Sequence, residues 1–245
     1  LNVSTLGSFF MMFDIPVIAL SLQVAFVATG LTLPVGLIVA WLLVRKDFRG
    51  KFFLDIVVSL PLALPPVVVG YVLLWLVGTH GWLGQISQGL FGSTLAFTWF
   101  AAVLASSVVS FPLVVRSFTI ALAGVDPKLE VAAKGLGAGS LRTFFTVTLP
   151  LAQRGVIAGV LLGFVRALSE FGATIIVAGN IPGRTQTVPT AIFTRISSGD
   201  TNSAWRLALV SLLLGVIALA VHNWLLNRPR SPNTTGLNRL NNPSS

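Results

Sequence analysis

Arg166 and Glu170 stand four residues apart inside a stretch, 153–178, that is otherwise mostly apolar. On a helix, that spacing puts both side chains on one face. Ionised groups at such depth are costly in hydrocarbon and must face protein or water. Two chemistries fit. The pair neutralises itself and fixes helix packing, or it lines or gates a polar path through the span. Other chemistry-bearing residues are absent or isolated. The chain has no cysteine, and its two histidines, His80 and His222, are far apart with no partner motif, as structural or interfacial histidines are. The glycine-rich run from Gly135 to Ser140 lacks the G-x-x-x-x-G-K-[ST] pattern of a phosphate-binding loop, and that pattern occurs nowhere in the sequence. There is no Ser-His-Asp set and no carboxylate–histidine cluster at metal spacing. The sequence therefore points to no catalytic residue, no metal site and no nucleotide bound by this chain itself.

The elements that must position Arg166 and Glu170 follow from composition. Of 245 residues, 54% are apolar and 9% charged, against about 25% charged in a soluble domain. So few charges cannot cover a soluble fold of this size. Water-soluble enzymes, disordered chains and basic nucleic-acid binders are thereby excluded, and an all-α integral membrane protein is expected, with the lipid bilayer as its solvent. A spanning helix needs about 20 apolar residues. On that scale the sequence predicts five spans, at about 15–44, 54–77, 92–115, 153–178 and 207–226. Gly78, Gly81, Gly84 and Gln85 break the long uncharged run between the second and third. Pro61, Pro65, Pro66 and Gly70 should bend the second span, either as packing adaptation or as a moving part. Gly155, Gly159 and Gly163 form a small-residue face that lets another helix approach closely. The N-terminus lacks a basic region before its first apolar run and does not read as a signal peptide. The tail, 228–245, is rich in Asn, Pro and Ser and is expected to be disordered.

The net charge of +9 is distributed as a topology signal. Four Lys and Arg follow the first span (Arg45, Lys46, Arg49, Lys51). Five follow the third (Arg116, Lys128, Lys134, Arg142, Arg154), and three are in the tail (Arg228, Arg230, Arg239). The opposite side has only Arg184, Arg195 and Arg206. The richer side should be cytoplasmic, which puts residues 1–14 outside and the C-terminus inside. Trp41, Trp75, Trp82, Trp205 and Trp224 fall near predicted span ends, as interfacial tryptophans do. Trp99 sits about two turns inside its span and fits less well.

The loop at 126–150 carries the most pattern. Asp126-Pro127 reads as an N-cap followed by a first helical residue. Leu129, Ala132, Ala133 and Leu136 then form one apolar stripe. Gly135, Gly137 and Gly139 should end this helix, and Ser140 should cap a second one. A short amphipathic helix either packs on its own spans or lipid, or is presented to a soluble partner.

This loop resembles the "EAA" loop of ABC importer permeases. In that family Glu-Ala-Ala is followed by three residues and Gly, then by an aliphatic-x-Leu-Pro. Here Ala132, Ala133, Gly137, Val147, Leu149 and Pro150 match in register. The motif's acidic position falls on Val131, with Glu130 one place earlier. The resemblance extends over about residues 15–227 and sharpens to molybdate permeases. Ala40–Arg45, Leu64–Tyr71, Ser110–Arg116, Arg166–Thr174 and Ala178–Gly183 carry it, and sulfate permeases look similar around Glu170 and Asn180.

That resemblance implies a type I ABC importer permease fold in the cell inner membrane. It also implies a coupling helix made by Glu130, Ala132, Ala133, Gly135, Gly137, Val147, Leu149 and Pro150, seated on an ATPase. The expected assembly is a homodimer with two cytoplasmic ATPase subunits, which bind the ATP, and an extracytoplasmic molybdate-binding protein. Pro65, Pro66, Arg166, Ser169, Glu170 and Asn180 are the candidates for the path or gate. For an oxyanion, Arg166 would lower the electrostatic barrier and Glu170 would keep the anion from being trapped. Sulfate or tungstate as cargo, or a self-sufficient channel or secondary transporter, are the alternatives.

Overall fold

A computed structural model describes residues 14–227. The N-terminal segment up to residue 13 and the tail beyond 227 lie outside the described residues. Every regular element among the described residues is helical. Helix α1 spans Ile15–Arg45, α2 Lys51–Ala63, α3 Pro66–Val77, α4 Trp82–Phe91 and α5 Trp99–Ala123. Then follow α6 (Pro127–Gly135), α7 (Ser140–Thr143), a π-helical turn (Phe144–Thr148) and α8 (Leu149–Leu168). Short helices α9 (Gly172–Val177) and α10 (Val188–Ser197) precede α11 (Thr201–Asn227). Four of these stretches are long and apolar enough to cross a membrane, and the bent pair α2–α3 makes a fifth.

Helix α5 is the centre. Its small residues Ala101, Ala102, Ala105, Ser106, Ser107 and Ser110 are buried along one stretch. Against it α1 turns a matching stripe of Ala25, Ala28, Thr32, Gly36 and Ala40, spaced three or four apart as one helix face requires. Lipid offers no hydrophobic drive for helix association, so contact depends on how closely backbones approach. On the other side α8 presents the expected glycine face. A Cβ on Gly155 would lie 2.7 Å from Ala121 Cβ, on Gly159 2.8 Å from Ser117 Cβ, and on Gly163 would overlap Val114 Cγ2. α11 packs on α8, where His222 Nδ1 meets the Ala158 carbonyl at 2.9 Å.

Several expected boundaries are corrected. The third span runs 99–123 rather than 92–115. Residues 92–98 cannot be helical because Gly92 and Phe97 take positive φ, and Thr98 caps α5 by accepting the Ala101 N–H at 3.3 Å. Trp99 therefore begins the helix, but it packs on the buried core with its indole N–H buried and unpartnered, unlike an interfacial tryptophan. Arg116 does not end the span, because its guanidinium reaches Asp55 at 2.9 Å and Ser59 at 2.8 Å.

The second span is not one bent helix. α2 and α3 meet at 113°, because Pro65 and Pro66 together lack the two N–H groups that would continue the α2 ladder. The fourth span breaks as well, into α8 and α9. The fifth begins at Thr201, six residues earlier than expected. Ser140 is the first residue of α7 and makes no cap, since Gly139 holds the N-cap position. Helices α4 and α10 have no counterpart among the five expected spans.

Tight approach makes a direct prediction. Gly163→Leu should drive its side chain into Val114 and lower stability by about 1–3 kcal/mol. Gly215→Leu in α11, where nothing lies within 4 Å of the added Cβ, should be neutral. Thermal unfolding of the two variants in detergent compares them.

Candidate functional site

The two helix breaks face each other. α8 ends at Leu168, with Ser169 at the C-cap, and Ser169 Oγ donates to the Arg166 carbonyl at 3.1 Å. Glu170 lies past the helix end in the link to α9, so the expected shared helix face is corrected. The pair forms nonetheless, with Arg166 Nη1 2.8 Å from Glu170 Oε2. The other carboxylate oxygen accepts the Ala173 N–H at 2.8 Å. Glu170 thus caps α9, whose first N–H groups would otherwise be orphaned inside the bundle. This bond explains why the helix stops there, since the carboxylate takes a backbone donor freed by the break. The Glu170 side chain is 1% exposed and that of Arg166 30%.

Depth follows from the packing. Gly163 sits against Val114, near the middle of α5, and the Val177 carbonyl accepts the Phe97 N–H just before α5 begins. The Arg166–Glu170 break therefore lies about halfway through the bundle, and α9 completes the crossing. Irregular backbone at membrane depth survives only where protein buries it or where it lines a polar cavity.

Helix α3 provides the opposing wall. A Cβ on Gly70 would lie 2.7 Å from Ala173 Cα, and one on Gly172 2.9 Å from Pro66 Cβ. Pro66 therefore abuts the α9 break directly, and Pro65 precedes it at the N-cap of α3. Gly70 and Gly172 hold this contact at backbone distance. Gly172 was not singled out in the sequence, where only a close pairing of the two segments would have marked it. The Thr174 hydroxyl in α9 is buried without a hydrogen-bond partner, a polar feature with no sequence signal.

Asn180 is not part of this group. It follows α9 at the end of the bundle that holds α10, and it donates to Thr194 Oγ1 of that helix. Thr194 itself donates to the Thr190 carbonyl, which fixes the amide orientation and leaves Asn180 Oδ1 buried and unpartnered. Helix α10 is tied to α1 by Arg195–Asp14 at 2.6 Å and by Val188 N–H donating to Ser21 Oγ at 2.7 Å. Nearby, the Ser203 hydroxyl and N–H, with the Arg195 and Arg206 charges, hold the Asp200 carboxyl below the usual carboxylate range.

At the opposite, basic end, Asp126 caps α6 by accepting the Lys128 N–H at 2.9 Å. Val131, Ala132, Gly135 and Gly137 are all exposed, and Ala133 partly so. Leu129 is 48% and Leu136 90% exposed. The buried residue of this helix is instead Glu130. Its Oε1 lies 2.9 Å from the Arg45 guanidinium and accepts the Thr148 hydroxyl at 2.8 Å. Gly137 takes φ +89°, the left-handed conformation that lets the chain turn out of α6. Val147 lies in the π-helical turn, while Leu149 and Pro150 begin α8.

The two halves of the central ion pair are unequal, and this can be tested. Arg166→Gln leaves the Glu170 charge buried and uncompensated, at a cost of about 3–5 kcal/mol. Glu170→Gln keeps an oxygen for the Ala173 N–H and leaves a guanidinium that is far less buried than the carboxylate, so it should cost less. Adding Glu170→Gln to Arg166→Gln should recover part of the loss. Thermal unfolding of the three variants gives the order, and Glu170→Gln proving the worse single change would contradict it.

Comparison with known proteins agrees with this geometry. The family model for the binding-protein-dependent transport system inner membrane component matches residues 32–231. The molybdenum transport system permease protein ModB of Escherichia coli K12 is 52% identical over 209 residues, covering 85% of this chain and 91% of that protein. The sulfate transport system permease protein CysT of Salmonella typhimurium LT2 is 38% identical over 208 residues, covering 85% of this chain and 75% of that one. Among solved structures, the MetNI methionine ABC transporter in inward-facing conformations matches with a TM-score of 0.64 at 15% identity, covering 88% of this chain and 97% of that chain. That likeness shows the fold. The chain is a multi-pass inner-membrane permease and belongs to the family of binding-protein-dependent transport system inner membrane components.

Proposed function

We propose that this chain is the translocation subunit of an ATP-driven importer that carries molybdate across the inner membrane. The observation that carries the reading is the inverted face of α6. Its apolar stripe, Leu129 to Leu136, points away from the bundle, while its glutamate points in. An exposed apolar stripe on a helix at the basic inner end fits a soluble partner with an apolar cleft. The partner is an ATPase subunit, which binds and hydrolyses the ATP. This chain has no nucleotide motif and does no chemistry on its cargo. The basic end is cytoplasmic by the charge rule, so the N-terminus is outside and the C-terminus inside, and a binding protein delivers the anion to the outer layer around α10.

A second copy completes the path. α2 buries only Val58, and Leu60, Leu62, Val67, Tyr71 and Trp75 around the Pro65 break are exposed. A broken span cannot face hydrocarbon, which supports a homodimer whose copies enclose water beside the two breaks. Arg166, partly exposed there, lowers the barrier for a doubly charged oxyanion, and Glu170 keeps it from being too deep a trap. Molybdate is favoured over sulfate by the higher identity to the molybdenum permease, and tungstate shares its shape and charge.

The test is uptake of labelled molybdate, tungstate and sulfate in cells lacking their own permeases. Molybdate uptake is expected, with sulfate much weaker, and preferential sulfate uptake would reassign the cargo. Arg166→Gln and Glu170→Gln should each lower uptake, and unchanged uptake and basal ATPase activity in both would remove them from the path. Gly137→Trp, a bulky change at positive φ, should abolish co-purification of the ATPase. Retention of the ATPase and of coupled uptake would favour a self-sufficient channel or secondary transporter.

A further inference from the structure

We propose that Arg45 is a positioning residue that carries movement of α6 into the membrane helices through an Arg45–Glu130–Thr148 clasp. The inference rests on reading α6 as the ATPase-docking helix. Arg45 is the last residue of α1. Its Nε donates to Glu130 Oε1 at 2.9 Å, and its Nη2 donates to the Leu122 and Val125 carbonyls at 3.1 and 3.0 Å. Those carbonyls belong to the C-terminal end of α5 and the link that follows, where the helix dipole favours a cation. Glu130 Oε1 also accepts the hydroxyl of Thr148, the last residue of the π-helical turn before α8. One guanidinium and one carboxylate thus join α1, α5, α6 and α8. Both side chains are largely buried, at 14% and 10% exposure.

Three features make this clasp a transmission point in addition to a packing contact. Glu130 is the buried residue of α6, so the clasp is where that helix grips the bundle. The chain leaving α6 turns through Gly137 and Gly139, with nothing within 4 Å of an added Cβ at either. That exit is compliant, and a push on the exposed stripe reaches the spans through Glu130. The π-helical turn that receives the push is a site of slack in helix hydrogen bonding, a kind of feature that recurs at functional sites. From there α8 leads to the Arg166–Glu170 break, while α1 leads to Asp14 and the outer α10. The planar fork of Arg makes several directed bonds at once, which a lysine cannot reproduce.

The experiment reconstitutes the complete transporter, with its ATPase and binding protein, in proteoliposomes and measures anion transported per ATP hydrolysed. Arg45→Gln and Thr148→Val are compared with the unsubstituted complex, with Arg45→Lys as the conservative variant. The ATPase should stay bound and hydrolysis should continue. Transport per ATP should fall about tenfold in Arg45→Gln, within the ordinary range of coupling between two sites. It should fall less in Thr148→Val and recover partly in Arg45→Lys. A lower unfolding temperature with unchanged transport per ATP in Arg45→Gln would show a structural role only and overturn the proposal. Where Arg45→Gln fails to assemble, Thr148→Val decides, since it keeps the ion pair, and an unchanged ratio there overturns the proposal equally. No ATP-dependent uptake by the unsubstituted complex would overturn the importer reading and the clasp with it. Normal coupling in the unsubstituted and substituted complexes alike would overturn the clasp alone.

Discussion

The rest of this structure depends on how closely two helices can approach α5. In lipid, burying a leucine stem gains little over leaving it among acyl chains, so short contact distances and satisfied polar groups hold the bundle together. Alanine, serine and glycine supply those distances on both sides of α5, against α1 and against α8. Large apolar side chains such as Phe26, Ile38, Leu212 and Val216 are left on the outside, the reverse of a soluble core. A tight central pack gives the surrounding elements a fixed reference, and the two broken spans can then differ from ideal helices without loosening the whole.

The breaks are the expensive features, and each is compensated locally. At 64–66 two prolines remove donors that a broken ladder would have left unpaired. At 169–171 the Glu170 carboxylate takes the freed Ala173 N–H and is itself neutralised by Arg166. Gly70 and Gly172 then bring the two breaks into backbone contact. A continuous helix has one packing arrangement, whereas two short helices on links can pivot while keeping their internal hydrogen bonds. That freedom lies at mid-depth, where an importer must alternate between facing outward and inward. The same logic runs to the basic end, where the one buried side chain of α6 is a carboxylate shared between a guanidinium and a hydroxyl.

Much of this was legible before any fold was known. The span count, the basic end, the loop at 126–150 and its Asp126 cap all follow from local pattern, because hydropathy, charge and capping act over a few residues. The glycine face of α8 was legible for the same reason, as a repeat of four. Boundaries fared worse where a local signal was ambiguous. Arg116 looked like the end of a span, yet its side chain reaches Asp55 and Ser59 on α2 and lets α5 continue. Glu170 looked like a helix residue four places after Arg166, yet its use as a cap ends the helix before it.

The sequence by itself determined that this chain lives in a membrane, roughly where it crosses, which end is basic, and which charged residues are too deep to be incidental. Composition and spacing suffice there, because the bilayer imposes the same length and polarity on every span. Only the tertiary structure decided what those residues touch. It turned Glu130 inward to Arg45 and Thr148, set Asn180 apart from Arg166, and laid Pro66 against Gly172. These contacts join segments tens of residues apart, and no local preference encodes them. They follow from which backbones can come within van der Waals distance once the helices are packed.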